Sequence, residues 1–225
     1  PPHHQCFRRQ RQMCIRDSPY GDGIDVAMGG GRRHFLPTSE ADPEYSNRSG
    51  RRKDGRNLIN EWKEKNANSH FAWNREQFDQ TPTNTEKFLG LFEQSHMKYE
   101  ADRTMDEAGE PSLAEMTSKA IDMLSKSNQG YVLLVEGGRI DHAHHGGNAY
   151  RALKDAQAFS DAVNTAIKKV SLDDTLIIVT ADHSHVFTMA GYPARGNPIL
   201  GLVHRPDGQD GQMDDPHLAN DGKPY

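Results

Sequence analysis

Apolar and polar positions follow two different periods along this chain, and the sharpest patterning lies in its second half. Ser112-Leu113-Ala114-Glu115 has the order of a capping box, in which a serine and a glutamate side chain satisfy free N–H groups at a helix start. Leu113, Met116, Ala120 and Leu124 then fall on one helical face, and Gly130 closes the unit. Tyr131 to Val135 is a continuous apolar run, the pattern of a strand buried on both sides. Ala149, Leu153, Ala156, Val163, Ile167 and Val170 predict a long amphipathic helix, and Thr175 to Thr180 a second buried strand. Helix–strand–helix–strand order predicts an α/β fold with a parallel sheet.

The first half is less regular. Ile24 to Met28 predicts a strand that leaves into a turn at Gly29-Gly30-Gly31. A nucleotide-binding glycine loop is the weaker alternative there, since the GxGxxG spacing and a following amphipathic helix are both missing. Thr38 to Gly55 is polar and turn-rich and predicts a surface loop. Leu58 to Lys65 predicts a short helix carrying Trp62, Phe71 to Trp73 a strand, and Phe88 to Phe92 forms another short apolar run. No internal repeat is evident.

Composition narrows the function classes. The chain has 225 residues, a formal net charge of −5 and 34% hydrophobic residues, with a mean hydropathy of −0.86. Both hydrophobic measures lie on the polar side for a compact globular chain, as long surface loops or a missing part of the fold produce. The acidic balance argues against nucleic-acid binding. The basic run Arg48, Arg51, Arg52, Lys53 and Arg56 reads as a solvated loop rather than a polyanion site. No apolar stretch is long enough to span a bilayer, and no apolar signal segment opens the sequence. The two cysteines, Cys6 and Cys14, give no disulfide framework and no zinc ribbon, so bound zinc must use histidines and carboxylates. Residues 1–18 contain Arg8 to Ser18, RRQRQMCIRDS, which has neither helical nor strand period; we expect a non-native leader there and a native sequence starting near Pro19 to Gly23.

Chemistry collects where the two second-half apolar runs end. Glu136 follows the first run, and Gly137-Gly138 permit a change of direction before Asp141 and His145. On a helix, residues four apart share a face and can share a metal. Asp182 and His183 follow the second run, with His185 just beyond. Ligands of open α/β sheets bind outside the carboxyl ends of strands, so neighbouring strands would bring both groups together. Imidazole with carboxylate suits Zn²⁺, and oxygen-only sets suit Mg²⁺. Taken singly, such residues are more often caps or turn residues, and His142, His144 and His185 read equally well as supporting or surface groups. The doubled pattern favours a metal-dependent hydrolase.

The segments Val135-Glu136-Gly137-Gly138-Arg139-Ile140-Asp141-His142-Ala143-His144-His145 and Thr180-Ala181-Asp182-His183-Ser184-His185-Val186-Phe187 closely resemble the metal-binding segments of alkaline phosphatases. Gly29-Gly30-Gly31-Arg32, Gly90-Leu91-Phe92-Glu93, Met97-Lys98-Tyr99-Glu100 and Gly191-Tyr192-Pro193 resemble the same family, over a span from about Gly23 to the end. The resemblance implies part of an alkaline phosphatase-like α/β sandwich, with a central, mainly parallel sheet flanked by helices. It implies hydrolysis of phosphate monoesters through a phosphoserine, at a site of two zinc ions and one magnesium. Glu136 matches the magnesium ligand, Asp141 and His145 ligands of the first zinc, and Asp182 and His183 ligands of the second. A calcium-like site of animal members has counterparts in Glu44, the Phe92 carbonyl, Glu93 and Glu110; the stretch from Asp102 to Glu110 carries extra residues, and solvated acids are the alternative reading.

The family nucleophile lies in an Asp-Ser-Ala segment that this sequence lacks, and the last zinc histidine in a Thr-His-Gly-Gly segment that is also absent. The phosphate-gripping arginine, and an aspartate that bridges the second zinc and magnesium, have no match either. We therefore expect a domain over residues 19–225 truncated at both ends and inactive alone, from a phosphomonoesterase that is a homodimer, extracellular or membrane-anchored. Phosphodiesterase, phosphomutase and sulfatase relatives space their ligands differently from Glu-Gly-Gly-Arg-Ile-Asp. The alternative from a different class is a catalytically silent metal-binding homologue.

Overall fold

The computed structural model describes residues 23–188 together with Gly196, Asn197 and Ile199. The expected leader over residues 1–18 and the Gly191-Tyr192-Pro193 segment lie outside the described residues. The described chain divides into two compact units. One runs to Gly137 and resumes over Lys154–Val179; the other comprises Gly138–Leu153 and the residues from Thr180 on.

The first unit is built on a three-stranded parallel sheet. Strands β1 (Val26–Gly30), β2 (Ser69–Ala72) and β3 (Lys87–Glu93) lie in the order β1-β3-β2. Val26 registers with Phe88 on one side of β3, and Ser69 registers with Lys87 on the other. Every residue of β3 is buried. Its alternation divides the core in two. Leu89 and Leu91 join Phe35, Leu36, Leu58, Ile59 and Trp62 on one face, while Phe88 and Phe92 join Ala72, Phe78 and Met123 on the other.

Helices cover both faces. Helix α1 (Leu58–Lys65) has the predicted bounds, and the Asn57 side chain accepts hydrogen bonds from the amides of Ile59 and Asn60 at its start. Helix α2 (Arg75–Gln80) delivers Phe78, whose ring meets Phe92 edge-on at 5.6 Å. Helix α3 (Leu113–Leu124) opens with the predicted capping box of Ser112 and Glu115. Its most buried side chains are Thr117, Ala120, Ile121 and Met123, so its inner face is turned from the predicted stripe while Ala120 remains on it.

Two expectations fail. Neither Tyr131 to Val135 nor Thr175 to Thr180 forms a strand. Val132, Leu134, Leu176, Ile178 and Val179 stand exposed, while Tyr131, Leu133, Val135, Thr175 and Ile177 are partly covered. A strand exists through ladder bonds to a neighbour, and among the described residues these runs have none. The fold class is α/β with a parallel sheet, but Phe88 to Phe92, not the two predicted runs, supplies its doubly buried strand. The remaining helices are α4 (Arg139–His145) and α5 (Ala149–Lys169). On α5, Ala152, Asp155 and Ala162 are buried while Leu153 and Ile167 stay exposed, again a rotation of the predicted face.

The loop over Thr38 to Gly55 is turn-rich as expected, but Asp42 is buried. Gly31, at φ +92°, starts the 3-10 turn Arg32–His34 and sends the Arg32 side chain inward, where it draws Asp42 and Glu44 in from that loop. The basic run stays at the surface: Arg52 pairs with Asp54, Arg56 with Glu61, and Arg48 lies over the Tyr45 ring.

Candidate metal centre

In the second unit, α4 is a two-turn helix, and its geometry puts Asp141 and His145 on one face. Asp141 Oδ1 is a point of convergence: His185 Nε2 lies 2.8 Å from it, His145 Nε2 3.4 Å and His183 Nε2 3.5 Å. Donor atoms bound tetrahedrally to one zinc at about 2.0–2.1 Å lie about 3.3 Å apart, which these spacings bracket. Asp141, His145 and His185 offer ligand atoms that all fall within 4.8 Å of one another. A carboxylate with imidazoles fits Zn²⁺ in donor chemistry as well as in spacing.

Two of the rings, His183 and His144, are held through Nδ1. His183 Nδ1 lies 2.9 Å from the Ser184 carbonyl; a carbonyl only accepts, so Nδ1 carries the proton and Nε2 the lone pair of the neutral ring. His144 donates from Nδ1 to the Ile140 carbonyl at 2.8 Å and stacks on His185 at 5.0 Å between centroids, with Phe187 edge-on to it. His144 therefore buttresses the His185 ring. Burial works to raise the Asp141 carboxyl, but the His185 hydrogen bond and the nearby His145, His185 and His183 rings hold it below the usual carboxylate range. The His183 imidazole is raised, first by its hydrogen bond to Ser184 and then by the charge of Asp182.

Of the five expected metal residues, three meet here: Asp141, His145 and His183. Asp182 sits beside them with its side chain in solvent, accepting from the His183 amide at 3.1 Å. Glu136 is an exposed residue of the first unit. His185 has the shortest contact to Asp141 of the three rings, yet sequence reasoning left its role open. Its separation of two residues from His183 was the available signal, because alternate residues of an extended segment straddle a point less well than they share a face.

The second cluster lies in the first unit. Glu44, Glu93 and Asp106 place carboxylate oxygens within 4.8 Å of one another, an oxygen-only set fitting a hard divalent cation. Glu93 ends β3, Glu44 is fixed by Arg32 Nη2 at 2.7 Å, and Asp106 follows the 3-10 turn Arg103–Met105. Phe92, the expected carbonyl donor, is fully buried. Glu110 is buried too, with Oε2 accepting from the Lys98 amide at 2.8 Å. Burial, then the negative Asp106 and Glu93, push its carboxyl up to about 8 against the pull of that amide. Asp106 was not foreseen. It falls in the Asp102 to Glu110 stretch of extra residues, where the turn that aims it inward has no sequence signature.

Comparison with known proteins supplies the family. The alkaline phosphatase family model matches residues 6–214. The chain is 47% identical over 187 residues to the tissue-nonspecific alkaline phosphatase of Felis catus, covering 80% of this chain and 35% of that one. It is 44% identical over 186 residues to the alkaline phosphatase of Gadus morhua, covering 80% and 39%. The chain thus spans little more than a third of the length of these relatives. Among solved structures, the Thermus thermophilus alkaline phosphatase aligns with a TM-score of 0.53 at 34% identity, over 64% of this chain and 27% of that one.

Proposed function

The chain belongs to the alkaline phosphatase family, and from that premise we propose that it contributes metal ligands to a phosphomonoesterase that releases an alcohol and inorganic phosphate through a phosphoserine. The observation that carries this reading is the convergence of the His145, His183 and His185 rings on the Asp141 carboxylate. Asp141 and His145 would hold a first zinc, Asp182 and His183 a second, and Glu136 a magnesium ion. Bound zinc would supply Lewis acidity toward a phosphoryl oxygen and favour deprotonation of a nucleophile.

The side chains on view do the orienting. The His185 hydrogen bond fixes the Asp141 carboxylate, the stacked His144 fixes His185, and the Ser184 carbonyl fixes the tautomer of His183. Glu44, the Phe92 carbonyl, Glu93 and Glu110 would hold a calcium-like ion. The serine nucleophile is not among these 225 residues, so the chain alone is inactive under this proposal. Family likeness supports phosphate monoesters as substrates, a homodimeric assembly, and a place outside the cell or at its surface. Among the described residues no helix is long and apolar enough to cross a membrane.

The test is to express this chain, and the complete protein read from the source transcript, in a host without alkaline phosphatase. Turnover of p-nitrophenyl phosphate is expected from the complete protein, lost with a chelator and restored by zinc, and none from the chain alone. A complete protein that binds zinc without turnover establishes the silent metal-binding homologue instead.

A further inference from the structure

The acidic cluster of the first unit holds one carboxylate and one ammonium beyond the set the family likeness implies. Asp106 lies in the same oxygen group as Glu44 and Glu93, its side chain is 2% exposed, and its Oδ2 is buried without a hydrogen-bond partner. Glu110 is also shut from solvent, with Oε1 unpartnered. Buried carboxylate oxygens are seldom left without a donor or an ion, because each forfeits its hydration. Lys98 Nζ stands among them, 2.7 Å from Glu93 Oε2, 3.1 Å from the Tyr45 hydroxyl and 3.6 Å from Asp106 Oδ1. Arg32 already holds Glu44, and the one ammonium is shared between Glu93 and Asp106, which leaves Asp106 Oδ2 untouched.

Ligands at about 2.4 Å from one calcium ion lie at most about 4.8 Å apart, and the Glu44, Glu93 and Asp106 oxygens meet that limit. We propose that Asp106 is a ligand of the divalent cation held by Glu44 and Glu93, and that Lys98 competes with that cation for the same oxygens. Binding then exchanges an ammonium for a divalent ion: Lys98 swings from Glu93 as the cation takes its place, and the orphaned Asp106 oxygen gains a partner. The exchange makes Lys98 a determinant of affinity, since its departure opposes every binding event. This rests on the reading of the cluster as a cation site.

The experiment is calcium titration calorimetry on the full 225-residue chain stripped of metal, comparing it with Lys98→Met and Asp106→Asn. Lys98→Met keeps the aliphatic stem and removes the competitor, so calcium binds about tenfold or more tighter. Asp106→Asn keeps the shape and removes a charged ligand, so binding weakens by about 10–100-fold. The opposite signs keep a folding defect from imitating the result, since a misfolded Lys98→Met chain would not bind more tightly. Calcium binding by the wild-type chain that neither substitution alters overturns this inference and leaves the cation site standing. No calcium binding by the wild-type chain overturns both.

Discussion

Arg32 grips Asp42 through two hydrogen bonds, Nε to Oδ2 at 3.0 Å and Nη2 to Oδ1 at 2.7 Å, with both side chains closed to solvent. The same guanidinium reaches Glu44 at 2.7 Å and the Leu91 carbonyl at 2.8 Å, so one side chain ties the loop to β3. Burial works against both charges, but the pairing outweighs it: Arg32 is raised, and Asp42 is held below the usual carboxylate range. Replacing Arg32 by Met leaves Asp42 and Glu44 buried without their counter-ion. We expect a loss of about 3–5 kcal/mol in urea unfolding. The double change with Asp42→Asn should cost less than the two single changes added together.

Ser112→Ala removes the acceptor for the Glu115 amide at the start of α3 and should cost about 1 kcal/mol. The Glu115 carboxyl feels burial upward, but Arg75 and Ser112 pull it below its ordinary 4.5. A carboxyl lowered on folding contributes stability that is complete above its unfolded value and fades as pH falls through the folded one. The stability gap between wild type and Glu115→Gln should therefore be full at neutral pH and shrink below 4.5, as paired urea titrations across that range would register.

Gly50 packs where a Cβ would run into the carbonyls of Leu36 and Pro37, which are backbone atoms and cannot swing aside. Gly50→Ala should lower stability by about 1–3 kcal/mol, read as a shift in the urea midpoint with an unchanged slope.

His185→Ala removes the closest ring from Asp141 and should weaken zinc binding by about 10–100-fold. Competition against a chromophoric chelator measures it, and an unchanged affinity would remove His185 from the centre.

Local chemistry was readable from sequence, and pairing was not. The bounds of α1, the capping box of α3 and the shared face of Asp141 and His145 are written in neighbouring residues. The convergence of His183 and His185 on Asp141 depends on where a distant segment lies. The runs Tyr131 to Val135 and Thr175 to Thr180 have strand composition but no partner among the described residues, because apolar pattern specifies a buried face and says nothing of who occupies it. Asp106 depends on a single 3-10 turn. Arg32, which holds Glu44 of the acidic cluster, was matched by family likeness without any hint that Asp42 and Glu44 close upon it.

The middle strand of the sheet is the last of the three in the chain. β1 and β2 cannot pair with each other in the native order and must wait for β3 to slot between them. Both pairings span long stretches of chain, and such non-local contacts slow the search for the folded state. Arg32 can reach the Leu91 carbonyl, and Glu44 can come near Glu93, only once β3 is seated. The acidic cluster and the core are thus products of a single late event: Glu44 and Glu93 stay apart on the growing chain, and their carboxylates meet when the sheet closes.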